Sequence, residues 1–200
     1  MKRILTFVFL ILLAGPILAK DFVVMLPMVI DDESVVPVIA TLNTATKNDR
    51  VFIGVLSVGG SVMSGLDVLD AIDKTKAKVK TVVIYGASMA AIIATAPIIK
   101  SGNPNDMIIS PNSKLMFHAS YVEDMFGRPY KFIPGNLLTQ DDKDYFELFY
   151  GITWKNHLAV LTMKQMNAML KGDDIRLDGP QIKKQMKEKY GTKYLGGLDK

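Results

Sequence analysis

The sequence has no cysteine. That excludes disulfides, thiol nucleophiles and cysteine-ligated metal sites, so stability must come from core packing. Histidine is almost as scarce, with His118 and His157 alone in 200 residues, and tryptophan occurs once. No internal repeat or low-complexity tract is visible, which leaves one domain as the simplest organisation. A composition of 49% hydrophobic and 22% charged residues gives that domain a sizeable core. The net charge of +4 and pI near 9.1 look basic. Much of the excess lies in Lys2, Arg3 and the stretch 183–200, where lysine is interleaved with Glu and Asp. Such mixing marks a solvated surface and argues against a nucleic-acid patch.

Residues 1–19 read as a secretory signal peptide. Lys2 and Arg3 precede an apolar run over residues 4–14, and Ala19 stands just before charged Lys20 and Asp21. The run is too short to span a bilayer comfortably, so cleavage after Ala19 is the expectation. An uncleaved anchor and a buried terminal helix are the other two forms it could take. The expected location is exported, periplasmic or extracellular, or else membrane-anchored through that segment. The domain proper is residues 20–200.

Within the domain, strands and helices alternate. Residues 22–26, 51–56 and 79–85 are apolar or β-branched runs that predict strands. A helix is expected after the acidic residues 31–33, running through Val38, Ile39 and Leu42. Val62, Leu66, Leu69 and Ile72 share one face of a helix over 61–74. Residues 88–96 predict a buried helix that Pro97 ends or kinks. Short strands are expected at 107–109 and 114–117, a long loop at 120–138, and helix from 141 to 170 with a break near Gly151. A polar helix over 181–190 closes the chain. This order predicts an α/β fold with a largely parallel sheet and right-handed crossovers.

Three segments carry candidate chemistry. Gly59 and Gly60 follow a strand, where glycine permits positive φ and close approach of a ligand to backbone N–H groups. They make no dinucleotide fingerprint, because its third glycine is missing. Ser88 follows a strand in Gly86-Ala87-Ser88-Met89-Ala90 and opens an apolar helix. It is either a helix cap or a hydroxyl placed at the positive end of a helix dipole. The Met89 N–H would then be a second donor for an oxyanion. His118 ends Lys114-Leu115-Met116-Phe117, and its imidazole suits proton abstraction from serine near neutral pH. His157, inside helical sequence, reads as a surface or satisfied core residue. A carboxylate fixing the imidazole tautomer would complete a triad. Asp173 and Asp174 are candidates, because acidic residues just past a helix end oppose its dipole. Asp141 and Asp142 sit at a helix start, where capping accounts for them.

With these segments in this order, the chain resembles the Clp protease proteolytic subunits of the Clp/crotonase fold, which is built from repeated β-β-α units. Ser57-Val58-Gly59-Gly60-Ser61-Val62 is similar to that family's Ser-Pro-Gly-Gly-Ser-Val turn. Gly86-Ala87-Ser88-Met89-Ala90 resembles its Ala-Ala-Ser-Met segment, and Pro111-Asn112-Ser113-Lys114-Leu115-Met116-Phe117-His118 resembles Pro-Asn-Ser-Arg-x-Met-x-His. The resemblance implies a serine endopeptidase with Ser88 as nucleophile, His118 as base, and oxyanion donors on Gly60 and Met89. Gly172-Asp173-Asp174-Ile175-Arg176 partly matches the family's aspartate segment, which implies Asp173, with Asp174 as the alternative. It further implies peptide or unfolded-protein substrates, a homo-oligomer, and no metal or organic cofactor. The family's ATPase partner stays open, since ATP is not supplied beyond the membrane. Val58 replaces a proline, Gly172 replaces an arginine, and residues 101–104 lengthen the interval between serine and histidine. Two other readings are a Ser–Lys dyad, as in signal-peptide peptidases of the same broad fold, and a catalytically silent scaffold. A crotonase-type acyl-CoA hydratase or isomerase would leave Ser88 and His118 without a purpose.

Overall fold

A computed structural model describes residues 19–123, 128–137 and 139–194. The signal peptide expected over residues 1–19 falls outside them except for Ala19. A five-stranded sheet has the order β1-β2-β3-β4-β7. Its strands are β1 (Asp21–Met25), β2 (Arg50–Ser57), β3 (Lys78–Ala87), β4 (Met107–Phe117) and β7 (Ile175–Asp178). The first four run parallel, and β7 adds an antiparallel edge along β4. Three helices make the crossovers: α1 (Val36–Thr44), α2 (Val62–Lys74) and α3 (Met89–Ser101). The expected α/β architecture with a largely parallel sheet is therefore present.

Strand alternation sorts the two faces. Val24, Ile53, Thr81 and Val83 point to the helices and are packed or fully buried, whereas Val23, Met25 and Leu56 on the opposite face are exposed. Parallel sheets are normally covered on both faces. Among the described residues this one carries its helical layer on one side only.

Several expectations shift, each for a local reason. Pro97 does not end α3, which continues to Ser101. Residues 89–98 are all buried, so tertiary packing holds the turn that proline weakens. Hydroxyls bond the carbonyls on either side of Ile93, the residue whose helical donor proline removes: Thr81 donates to the Ala94 carbonyl at 2.6 Å and Thr95 to that of Ile92 at 2.7 Å. The two short strands expected at 107–109 and 114–117 are one strand, β4, with a register shift where Pro111 and Asn112 bow outward. Ser113 closes this bulge by donating from Oγ to the Val83 carbonyl at 2.6 Å and accepting from Ser110 N. The loop expected at 120–138 contains a hairpin, β5 (Tyr121–Glu123) with β6 (Pro129–Lys131). Helix α4 (Gln140–Val160) passes straight through Gly151, and the break falls instead at Leu161 and Thr162, before α5 (Met163–Met169). Asp142 belongs to the capping box of α4 with Thr139, as expected for a helix start. Helix α6 (Gly179–Tyr190) follows β7.

Helix α4 presses an aromatic cluster against β4. His157 is 1% exposed, its Nδ1 donates to the Thr153 carbonyl at 2.9 Å, and its ring packs near Phe117, Phe149 and Tyr150. Burial pushes the imidazole down to about 4. The folded state therefore refuses a proton that the unfolded chain takes up near pH 6.5. The contribution is intact above pH 6.5 and is lost as pH falls towards 4, by up to about 3 kcal/mol. Urea midpoints measured from pH 7 to pH 4 should fall more steeply for the wild type than for His157→Asn, whose amide can still donate to Thr153. Parallel slopes would refute this account.

Candidate active site

The strand ends set the site. Beyond β2, Ser57 Oγ is buried; it donates to the Met28 carbonyl at 3.1 Å and accepts from Gly59 N at 3.2 Å. The chain then turns with φ of 88° at Gly59 and 151° at Gly60, values that side chains disfavour. Ile30 bridges this turn, donating to the Gly59 carbonyl at 2.9 Å and accepting from Ser61 N at 2.8 Å. A side chain at Gly60 would collide with the Ile30 backbone. Among the described residues the Gly60 N–H has no backbone acceptor. Ser61 then caps α2 by accepting from Ser64 N.

Ser88 stands where β3 meets α3. It has φ 54° and ψ −128°, and it is the one non-glycine residue with positive φ among the described residues. An ordinary helix cap has extended backbone and accepts a bond from the first turn through its side chain. Ser88 does neither: its Oγ makes no capping bond. Its N–H donates instead to the Met116 carbonyl at 2.8 Å, which ties it to β4. This is a strained strand-to-helix turn whose hydroxyl takes no part in capping the helix. Met89, the first helical residue, has an N–H that the helix cannot use. Its side chain is buried against Gly65, locking α3 to α2. The glycine turn and the serine are in contact, because a Cβ on Gly59 would lie 2.8 Å from Ser88 Cβ and 3.1 Å from Met89 N.

His118 follows β4. The pairing of Ala87 with Met116 sets Ser88 and His118 at the same end of adjacent strands, both partly buried. Their side chains are not joined by a hydrogen bond. His118 Nδ1 meets the Ala119 carbonyl at 2.6 Å. Its ring lies 5.4 Å from that of Tyr121 on the hairpin.

Neither aspartate hydrogen-bonds to His118. Asp173 is exposed, with its N–H on the Ala168 carbonyl. Phe117 pairs with Ile175, so the register continued by one step sets Asp174 across from His118. The Asp174 carboxylate is taken up by Lys131 at 3.1 Å and Arg176 at 3.6 Å. Asp174 in turn holds the Lys131 ammonium above the usual lysine range. Lys131 also donates to the Gly172 carbonyl. Tyr121, Lys131 and the Ala119 carbonyl are thus neighbours that sequence reasoning missed. A loop assignment for 120–138 hid two of them, and no pattern marks a backbone carbonyl.

Among the described residues no cluster of His, Asp or Glu could hold a metal ion, and no helix is long and apolar enough to cross a membrane. A cleft of about 470 Å³ between α2, α3 and α4 is lined by Leu66, Asp67, Asp70, Ile99, Lys100 and Ile152, and contains neither Ser88 nor His118.

Comparison with known proteins gives a family match over residues 15–124, to Clp protease. The ATP-dependent Clp protease proteolytic subunit of Ligilactobacillus salivarius (strain UCC118) is 32% identical over 105 residues, which is 50% of this chain and 51% of that protein. The subunit of the same name from Streptococcus pyogenes serotype M5 (strain Manfredo) is 33% identical over 105 residues, with the same coverage, and so is that of serotype M1. This chain spans about half the length of these curated relatives. The family match includes Gly60, Ser88, Met89 and His118, and stops short of Lys131, Asp173 and Asp174.

Proposed function

This chain belongs to the Clp protease family, and from that premise we propose that it is a serine-type endopeptidase acting on peptides or unfolded protein segments. Ser88 Oγ attacks the scissile carbonyl carbon while His118 Nε2 takes its proton. The carbonyl oxygen becomes an oxyanion facing the N–H groups of Gly60 and Met89. The tetrahedral species collapses, His118 returns the proton to the leaving amine, and an acyl-enzyme remains on Ser88. Water, deprotonated by His118, then releases the acid and restores the serine. Asp173, with Asp174 as the alternative, offsets the imidazolium charge from the turn before β7. One observation supports this most: Ser88 holds a positive φ and leaves its hydroxyl out of helix capping, beside a glycine turn whose Gly60 N–H has no backbone acceptor among the described residues.

Homo-oligomerisation belongs to the same proposal, and the exposed apolar residues Val23, Met25 and Leu56 on the open sheet face support it. Export rests on residues 1–19.

Mass spectrometry of the purified protein after fluorophosphonate treatment tests several of these points together. The expected result is one adduct, on Ser88, on a chain beginning at Lys20. No adduct in the assembled protein would favour a silent scaffold. Undiminished labelling and hydrolysis in His118→Ala would favour a Ser–Lys dyad instead.

A further inference from the structure

We infer that residues 28–34 splint the glycine turn, with Asp32 and the Val58 N–H as positioning groups, in place of the proline that the family carries where this chain has Val58. This rests on the reading of the Gly60 N–H as an oxyanion donor. A proline fixes φ through its ring but has no N–H to donate. Val58 lacks the ring and keeps the donor, which bonds to the Met28 carbonyl at 2.9 Å. The same carbonyl accepts from Ser57 Oγ at 3.1 Å. Two residues on, the Ile30 N–H donates to the Gly59 carbonyl and the Ile30 carbonyl accepts from Ser61 N. Four hydrogen bonds thus run between residues 28–30 and 57–61, along the parallel bridge of Ile30 with Gly60. With proline at position 58 only three of them could form.

A splint directs Gly60 only if it is fixed itself. Met28 and Val29 are largely exposed, so the core does not hold that end. Ile30 is buried, but apolar burial is non-directional and does not set where the loop lies along the turn. Asp32 does. Its carboxylate, on an exposed residue, accepts from Ser64 Oγ at 2.5 Å, and Ser64 is wholly buried in the first turn of α2. A hydroxyl buried there needs an acceptor, and a short bond to a charged oxygen is among the stronger ones. The start of α2 also favours a negative charge beside it. The Ser64 N–H meanwhile donates to Ser61 Oγ at 3.2 Å. Ser64 therefore ties the loop, through its hydroxyl, to the end of the glycine turn, through its amide. Asp32 and Ser64 act through the turn and are positioning residues.

The test uses the full-length protein, a fluorogenic peptide, and hydrogen exchange read by mass spectrometry. Asp32→Ala and Ser64→Ala should each lose ~10- to 100-fold in kcat with little change in KM, as expected for a displaced donor. The double variant should lose no more than either single one, because both remove the same bond. Asp32→Asn, which keeps an acceptor for the Ser64 hydroxyl, should recover most of the loss. Exchange over residues 57–61 should quicken ~10-fold in both alanine variants, the scale of a lost bond to a charged group. Exchange over α3 should stay as in the wild type, which separates local loosening from general destabilisation. In a Val58→Pro background the ring holds the turn, so adding Asp32→Ala should cost less than ~3-fold in kcat against that parent. Wild-type kcat in Asp32→Ala, unchanged exchange over 57–61, or equal losses with valine and proline at position 58 would each overturn the inference. If Val58→Pro does not fold, the Ser64→Ala and exchange results decide it. Hydrolysis that persists in Ser88→Ala would instead overturn the peptidase reading, and the exchange measurement needs no turnover.

Discussion

Replacing Ser88 by alanine is expected to reduce peptide hydrolysis by ~10⁴- to 10⁶-fold and to abolish fluorophosphonate labelling, as loss of the nucleophile does in serine peptidases. The backbone adds a second expectation that separates catalysis from folding. At φ 54° and ψ −128° Ser88 holds a conformation that is strained for any residue with a Cβ, at a cost of about 1–3 kcal/mol. Ser88→Gly relieves that strain, although glycine's greater freedom in the unfolded chain takes back part of the gain. Ser88→Gly should therefore be as inactive as Ser88→Ala, yet more stable than it by about 1 kcal/mol, a difference of a few degrees in Tm. Calorimetry on the two variants reads the stability and a peptide assay reads the activity. Substantial turnover by either variant would remove Ser88 from the mechanism. Equal melting points would remove the strain.

Gly59→Ala should be nearly as damaging by a different route. The new Cβ would lie 2.6 Å from the Ala87 carbonyl oxygen, 2.8 Å from Ser88 Cβ and 3.1 Å from Met89 N, at a residue whose φ is +88°. These neighbours are main chain or the first atom of a side chain, so none can swing aside. Either the glycine turn retreats and takes Gly60 with it, or the serine turn is displaced. The expected loss is ~10²- to 10³-fold in kcat, the scale of a lost oxyanion donor. Strain and overpacking together should cost about 2–4 kcal/mol in stability. Gly102→Ala is the control. It too has positive φ, at +68°, but a Cβ there meets nothing within 4 Å. It should cost about 1 kcal/mol and leave turnover unchanged. Gly59→Ala with wild-type kcat would show that this contact is irrelevant to the reaction.

The parts of the site that were legible in the sequence are those encoded over a few neighbouring residues. Two adjacent glycines after β2 announced a turn with positive φ, and the turn has it at both. A serine between β3 and an apolar helix announced a strand-to-helix junction. It did not reveal whether the hydroxyl caps the helix, because capping depends on the backbone angles at that residue. Met163, Met166 and Met169 recur at helical spacing, which marks a core or interface stripe; Met166 and Met169 are fully buried, while Met163 is exposed. Strand β7 went unseen, since Ile175 to Asp178 is too short and too polar to read as a strand until β4 offers it an edge. The hairpin at Tyr121 and Lys131 was missed for the same reason.

What the sequence determined alone was local: the order of strands and helices from β1 to α3, the glycine turn, and the residue types able to attack, accept a proton and donate to an oxyanion. Those properties follow from side-chain chemistry and from the φ and ψ that each residue tolerates, and neighbours along the chain are enough to express them. Tertiary structure decided which groups face one another. The Ile30 backbone closes on Gly60, Gly59 touches Ser88, and Lys131 captures Asp174 from 43 residues away. Sheet register and hairpin docking set such pairings, through long-range hydrogen bonds and buried surface that no short window of sequence contains.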